Sequence, residues 1–277
     1  YQHGRTMFGA PYDWRLPPDH LVRGRWGSDM TALLNSLNRN TLVVAHGYGC
    51  TIVAAYLSER AASWRRAHVA RLYCLAAPLD GTVSAALRMI SGHLPPYEAR
   101  RSWSSASNGD SASRLDFRSV EFELGLRRAR RRALPFVPGI WDPGHNQLPR
   151  GAAALFRGFG SLMAMLPRKS NNTNMAVVRV GGTEYMATSH DMALLAETAL
   201  SDPVLARHIS IVQRLRTVVN GYEKAPGVPV TCVIGTGTET PGLVSYHDIG
   251  MAEQPELHEI EMTDGDGVVE AHSAMGC

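Results

Sequence analysis

The chain has 277 residues, of which 44% are hydrophobic and 19% are charged, and these proportions exclude disorder for most of its length. Its net charge of +3 and its isoelectric point near 8.8 fall well short of the basic footprint of a nucleic-acid-binding protein. No apolar run approaches the length of a membrane span, and the four cysteines lack the spacing of a metal site. We therefore expect neither a nucleic-acid partner nor a metal.

The first strong pattern in the chain is a strand, a tight turn and a helix. Thr41 to Ala45 is short, apolar and β-branched, as is typical of a strand, and apolar residues recur at helical spacing from Cys50 to Arg66. Between them, Ala45-His46-Gly47-Tyr48-Gly49 has the spacing of a nucleophile elbow, in which small residues allow a strained turn. Position 47, where the nucleophile would stand, is a glycine.

Further strand-like segments follow this unit and alternate with helical patterns. The strands are predicted at Val69 to Ala76, Val228 to Gly235 and Leu257 to Met262, and two helices at about 191–200 and 203–222. Such alternation is typical of a parallel sheet with helices on both faces. The sequence therefore predicts an α/β fold with a mostly parallel sheet.

The long segment between the second and third of these strands is predicted to be an inserted helical cap. The cap spans residues 93–220, and residues 1–92 with 221–277 form the core. Within the cap, Ser102 to Ser113 is a polar stretch expected to be an exposed loop or a disordered insert. In the run from Leu126 to Arg132, five of the last six residues are arginines. We favour a solvated helix face for this run, with contact to anionic lipid head groups as the alternative.

Asn171-Asn172-Thr173 is a glycosylation acceptor sequence at Asn171 in a polar part of the cap. It predicts passage through the secretory pathway, with a lysosomal or extracellular destination. The first residues, Tyr1 to Arg5, do not read as a signal peptide. We expect both ends of the chain to be truncated.

Several motifs taken together resemble the lecithin:cholesterol acyltransferase family. They are Phe8-Gly-Ala-Pro-Tyr-Asp-Trp-Arg15, the elbow at 45–49, Leu75-Ala-Ala-Pro78, Pro229 to Gly235, and Asp264-Gly-Asp266-Gly-Val-Val269. The resemblance implies an α/β-hydrolase fold with a cap, here lacking the N-terminal strands and the C-terminal histidine segment. Members, which include lysosomal phospholipases A2, move a fatty acyl chain from a phospholipid to an alcohol or to water. The implied partners are a phospholipid or sterol substrate and a lipid surface, and no cofactor is implied.

Acyl transfer of this kind needs a nucleophilic oxygen, a histidine base, an orienting carboxylate and two backbone N–H donors. By position in the family motifs, Gly47 replaces the nucleophilic serine, Asp266 is the triad carboxylate and the Tyr48 N–H is one oxyanion donor. The resemblance places the histidine beyond the end of the chain as given, so we expect an inactive O-acyltransferase or phospholipase. The alternative is a non-catalytic lipid-binding or regulatory pseudoenzyme. Asp13 and Arg15 are expected to pair and fix the loop near the cleft.

The family resemblance also assigns the cysteines. It implies a disulfide between Cys232 and Cys277, which would close the loop that carries the triad carboxylate. It also implies that Cys50 is a free cysteine lining the cleft. Cys74 lies in a predicted strand, so we expect it in the core.

Overall fold

The computed structural model describes residues 2–37, 40–92, 152–167, 176–186, 189–218, 226–246 and 257–276, and it confirms the predicted α/β class. The helices are α1 (Pro18–Arg23), α2 (Arg25–Leu37), α3 (Tyr48–Ser58), α4 (Ala62–His68), α5 (Val83–Ser91), α6 (Ala152–Arg157), α7 (Gly160–Ala164), α8 (Ser189–Thr198), α9 (Pro203–Val218) and α10 (Ala271–Ala274). The strands are β1 (Thr41–His46), β2 (Val69–Leu75), β3 (Ala176–Val180), β4 (Thr183–Met186), β5 (Val230–Val233), β6 (Thr238–Tyr246) and β7 (Leu257–Gly265).

Three strands form a parallel sheet in the order β1-β2-β5. Ala45 of β1 aligns with Cys74 of β2, which in turn aligns with Cys232 of β5. On β1, Val43 and Ala45 are buried in a cluster that includes residues of α3, while the intervening side chains are exposed. These strands correspond to the first three predicted ones, and their carboxyl ends lie at one edge of the sheet.

The fourth predicted strand does not join this parallel sheet, so that expectation was wrong. Leu257 to Met262 is part of β7, which pairs antiparallel with β6 in a separate sheet of order β4-β3-β6-β7. Only residues 247–256 separate the two strands. A parallel connection needs a crossover of a dozen or more residues, whereas an antiparallel pair can form across a short link.

The second sheet packs against helices to form the largest apolar cluster. Its deeply buried members include Leu87 of α5, Leu162 of α7, Val178 of β3, Met192 of α8 and Val244 of β6. Helices α8 and α9 lie where the sequence predicts helices near 191–200 and 203–222. The cluster explains why these helices form, because each buries an apolar face against the sheet or its neighbours.

Strand β3 comes from the predicted cap and pairs parallel with β6, which comes from the predicted core. The division of the chain into cap and core stays a prediction. The polar stretch 102–113, the arginine-rich stretch 126–132 and Asn171 lie outside the described residues. In the part of the chain that the structure describes, no helix has the length and hydropathy needed to cross a bilayer.

Two glycines with the same backbone conformation test the packing of the loop before α5. Gly81 and Gly182 both have φ near +86°. A Cβ on Gly81 would collide with the Leu166 carbonyl oxygen, whereas no atom of the described residues beyond the chain neighbours lies within 4 Å of a Cβ on Gly182. Alanine at either position adds the left-handed backbone penalty of about 1–2 kcal/mol. We expect Gly81→Ala to lower the free energy of unfolding by about 1–3 kcal/mol more than Gly182→Ala, measured by urea denaturation. Equal losses would contradict the close approach at Gly81.

Candidate active site

Gly47 forms the turn between β1 and α3 with the backbone conformation that a nucleophile elbow requires. Its φ is +53° and its ψ is −127°, a strained combination that favours glycine. Its N–H donates a 2.8 Å hydrogen bond to the Leu75 carbonyl at the end of β2. Apart from its chain neighbours, no atom of the described residues lies within 4 Å of the position that a Cβ would take. A side chain at position 47 would therefore project into open space.

Tyr48 begins α3, and its side chain joins the elbow to the loop that carries the Tyr-Asp-Trp-Arg motif. The Tyr48 hydroxyl donates a 2.8 Å hydrogen bond to the Leu16 carbonyl. Its ring packs edge-on against Tyr12, with the centroids 6.3 Å apart. The Tyr12 hydroxyl would in turn lie 3.3 Å from a Cβ on Gly49, so a larger residue at 49 would crowd the loop. The backbone N–H of Tyr48 lies in the first turn of α3, where helical N–H groups point out of the helix end.

Asp13 and Arg15 pair, as the sequence predicts. Arg15 donates from Nη2 to Asp13 Oδ2 at 2.6 Å and from Nε to Asp13 Oδ1 at 2.8 Å. The side-chain hydrogen bonds from Arg15 lower the pKa of Asp13 to about 2. Both side chains are exposed to solvent, so the pair fixes the shape of the loop and adds little to stability.

Asp266 follows β7 in a tight turn that lies against the end of β5. Its Oδ1 accepts hydrogen bonds from the N–H groups of Val268 and Val269 at 2.9 and 2.8 Å. Its Cβ lies 2.6 Å from the position that a Cβ on Gly235 would take, just after β5. This close approach explains the glycine at position 235.

The parallel sheet brings the predicted positions 47 and 266 to the same edge. Gly47 follows the carboxyl end of β1, and Asp266 lies at the carboxyl end of β5, with β2 between them. Because neighbouring strands are about 4.8 Å apart, the ends of β1 and β5 lie about 10 Å apart along this edge. The catalytic roles of Gly47, Tyr48 and Asp266 stay predictions.

The structure places Cys50 beneath the elbow and not on an open cleft. Its side chain is fully buried among the residues between α3 and the parallel sheet, because α3 turns this face toward β2. Its Sγ donates to the Leu75 carbonyl at 3.6 Å. A hydrogen bond with Cys74 and burial both raise the pKa of the Cys50 thiol. A thiol that stays protonated is a poor nucleophile, and this one is also shielded from solvent.

Of the other three cysteines, Cys74 and Cys232 lie among the described residues and Cys277 does not. Cys50 and Cys74 are free, and Cys74 is buried in the core as expected. Cys232 is half-buried on β5, while Cys277 lies outside the described residues. The disulfide between Cys232 and Cys277 stays a prediction.

Glu270 is a buried carboxylic acid beside the Asp266 turn that the sequence analysis did not identify. It is 2% exposed, and its Oε1 accepts a 2.7 Å hydrogen bond from the Val83 N–H at the start of α5. Its Oε2 has no hydrogen-bond partner among the described residues. Burial, with a smaller contribution from the Asp266 charge, raises the pKa of Glu270 to about 7. The sequence offered one indication that Glu270 is buried, namely its position directly after the apolar pair Val268-Val269.

Hydroxyl groups attach the Asp266 turn to the start of α5. The Val268 carbonyl accepts hydrogen bonds from Thr82 Oγ1 at 2.6 Å and from Ser84 Oγ at 2.9 Å. Ser273 Oγ donates to the Gly81 carbonyl at 2.6 Å. These contacts and the bond from Val83 to Glu270 hold the turn that carries Asp266 on the helix end.

The comparisons with known proteins agree with the family resemblance. Residues 1–101 match the family model described as lecithin:cholesterol acyltransferase. A lecithin-cholesterol acyltransferase-like 1 protein of Arabidopsis thaliana is 25% identical over 285 residues, which cover 97% of this chain and 52% of that protein. The protein of the same name from Oryza sativa subsp. japonica is 25% identical over 288 residues, covering 99% of this chain and 53% of its own length. A phosphatidylcholine-sterol acyltransferase of Oryctolagus cuniculus is 26% identical over 94 residues, covering 33% of this chain and 21% of its own length.

These matches confirm the resemblance to the lecithin:cholesterol acyltransferase family. They extend along nearly the whole chain for the two plant proteins. The chain spans about half the length of those two relatives.

The buried acid makes stability depend on pH in a defined direction. Because the pKa of Glu270 is raised from 4.5 to about 7, the folded state holds its proton more tightly than the unfolded state. Its contribution to the free energy of unfolding is therefore largest below pH 4.5 and declines as the pH rises to about 7. We expect Glu270→Gln to be more stable than the wild type at neutral pH by up to about 3 kcal/mol, an advantage that shrinks toward pH 4.5.

Urea denaturation of both proteins at several pH values measures this difference. Glu259→Gln, which removes an exposed carboxylate on β7, is the control and should keep the wild-type pH profile. A difference between Glu270→Gln and wild type that does not change with pH would contradict the burial of an ionisable group at 270.

Proposed function

We propose that this chain, a relative of the lecithin:cholesterol acyltransferases, is the lipid-binding α/β part of an acyltransferase- or phospholipase-type protein that cannot form an acyl-enzyme at position 47. The observation that supports this proposal is the backbone of Gly47, which keeps an elbow conformation with open space where a nucleophile would project. The substrate class we propose is a phospholipid, with a sterol or water as the acyl acceptor.

In the proposed chemistry, each catalytic group has a distinct role. In an active elbow, a serine oxygen bonds to the ester carbonyl carbon and its proton passes to a histidine. The histidine then gives that proton to the lysophospholipid oxygen, which leaves as the alcohol when its bond to the acyl carbon breaks. In this chain Asp266 would orient the histidine, and the Tyr48 N–H would donate to the oxyanion. Glycine has no atom that can bond to the acyl carbon. Loss of the nucleophile typically removes several orders of magnitude in rate, so we expect no acyl transfer through this route.

A non-catalytic lipid-binding or regulatory protein is the second candidate. The observation that favours it is the intact packing around the elbow, where the Tyr48 ring and hydroxyl still hold the loop from Tyr12 to Leu16. A fold that keeps this arrangement without the reactive oxygen retains a surface for binding. We propose a secretory, lysosomal or extracellular location for either candidate, on the basis of the acceptor sequence at Asn171.

Two substitutions at position 47 test whether the lack of a side-chain oxygen there is enough to explain the expected inactivity. Gly47→Ser and Gly47→Ala both add a Cβ at positive φ, and each should cost about 1–2 kcal/mol of stability. We expect a fluorophosphonate probe to leave the wild type and Gly47→Ala unlabelled. In the complete protein, Gly47→Ser should gain a covalent label at residue 47, detected by mass spectrometry, together with phospholipid hydrolysis.

Labelling of the wild-type protein would contradict the loss of the nucleophile. A folded Gly47→Ser protein that stays unlabelled would show that more than one catalytic group is missing, and would favour the lipid-binding candidate. The Gly47→Ala protein controls for the added Cβ, because it differs from Gly47→Ser by the hydroxyl alone.

A further inference from the structure

Glu270 lies where the Asp266 turn, helix α5 and helix α10 meet. Its backbone pairs with Gly265 in an isolated antiparallel bridge, so that residues 265–270 form a closed loop that contains Asp266. Glu270 is also the residue directly before α10. Its side chain reaches the start of α5, where Oε1 accepts a 2.7 Å hydrogen bond from the Val83 N–H. One carboxyl group therefore connects the Asp266 turn to a neighbouring helix.

The other hydrogen bonds from the Asp266 turn to α5 and β6 are made by groups that do not titrate near neutral pH. The hydroxyl groups of Thr82 and Ser84 donate to the Val268 carbonyl. On the side of β6, Thr240 Oγ1 accepts a 2.8 Å hydrogen bond from the Gly267 N–H. Hydroxyl and backbone groups of this kind keep their protons throughout the pH range in which carboxyl groups ionise. The carboxyl group on α5 is thus the ionisable member of these contacts.

The surroundings of the Glu270 carboxyl group favour its neutral form. The side chain is 2% exposed, and Oε2 has no hydrogen-bond partner among the described residues. The titratable groups on the surrounding elements are Asp80, Arg88, Asp264, Asp266 and His272. Among these, the negative charge of Asp266 contributes to the raised pKa of Glu270. A buried carboxylate with an unsatisfied oxygen and a like charge nearby is costly in free energy.

We propose that Glu270 is a positioning residue for Asp266, and that it holds the Asp266 turn on the start of α5 more firmly when protonated than when ionised. When the proton passes to solvent, a buried carboxylate remains near the Asp266 charge. This new charge becomes hydrated if the turn separates from α5 and admits water, so ionisation favours the separated state. The inference rests on the role of Asp266 in the proposed function and adds to it a control by pH.

Hydrogen–deuterium exchange of the Val83 amide tests this inference, because that N–H is the group that Glu270 binds on α5. Each exchange rate is divided by the intrinsic rate of the amide at the same pH, which gives the equilibrium constant for opening. The pKa of Glu270 is raised from 4.5 to about 7 in the attached turn, so the separated turn binds the proton less tightly. We therefore expect the opening constant of the wild type to increase about 40-fold from about pH 5 to about pH 7 and then to level off.

Two variants distinguish a role of the proton from a purely structural role. Glu270→Gln keeps an oxygen that can accept the Val83 N–H but cannot ionise, so its opening constant should not change with pH. Glu259→Gln removes an exposed carboxylate on β7 and is the matched control, for which we expect the wild-type profile. A purely structural role of Glu270 would change the opening constant by the same factor at every pH.

Urea distinguishes separation of the turn from unfolding of the whole protein. Val178 is fully buried in β3, which lies between β4 and β6 in the second sheet. Opening at the Val83 amide should depend weakly on the urea concentration, because separation of one turn exposes little surface. Opening at the Val178 amide should depend steeply on it, as unfolding of the whole protein does.

Three results would overturn the inference. They are an opening constant of the wild type that does not change with pH, a wild-type pH profile in Glu270→Gln, and equal urea dependence at Val83 and Val178. These measurements need neither a lipid nor a reactive elbow. A failure here is therefore distinguishable from a failure of the proposed function, which the fluorophosphonate label at residue 47 tests.

Discussion

The hydrogen bond from the Gly47 amide to the Leu75 carbonyl fixes the point at which β1 ends and α3 begins. The same carbonyl accepts a hydrogen bond from the Cys50 thiol. One acceptor at the end of β2 therefore holds both the turn residue and the first turn of α3. The elbow shape therefore comes from the backbone and the neighbouring strand, and the side chain at position 47 contributes nothing to it. A non-glycine residue in this conformation is strained. Glycine adopts this shape without that strain, and it places no side-chain atom at the turn.

The turn that carries Asp266 depends on a different kind of contact. Its backbone is attached to α5 by buried hydroxyl groups and by Glu270, whose second carboxylate oxygen lacks a partner among the described residues. An unsatisfied buried oxygen costs free energy, and the cost is greater when the group is ionised. Position 266 is thus held by an attachment that weakens as Glu270 loses its proton. Lower pH stabilises this attachment.

Local patterns in the sequence predicted the local parts of this structure. The strand, turn and helix around Gly47 and the pairing of Asp13 with Arg15 depend on residues a few positions apart, which periodicity and motif spacing can show. The partner of β7 was missed because β6, which the short link 247–256 joins to it, was not among the predicted strands. The burial of Glu270 also escaped prediction, since it is decided by α5, which is distant in sequence.

Helix α9 packs against the second sheet and also against the helix that begins at the elbow. Helix α9 is fixed through its inner face, in the cluster beneath the second sheet, whereas the elbow is fixed by the parallel sheet. Val212 of α9 also packs against the cluster that contains Tyr48 and Ile52 of α3, so changes in the two elements can be coupled. Under the proposed function, binding to a lipid surface does not require the covalent step.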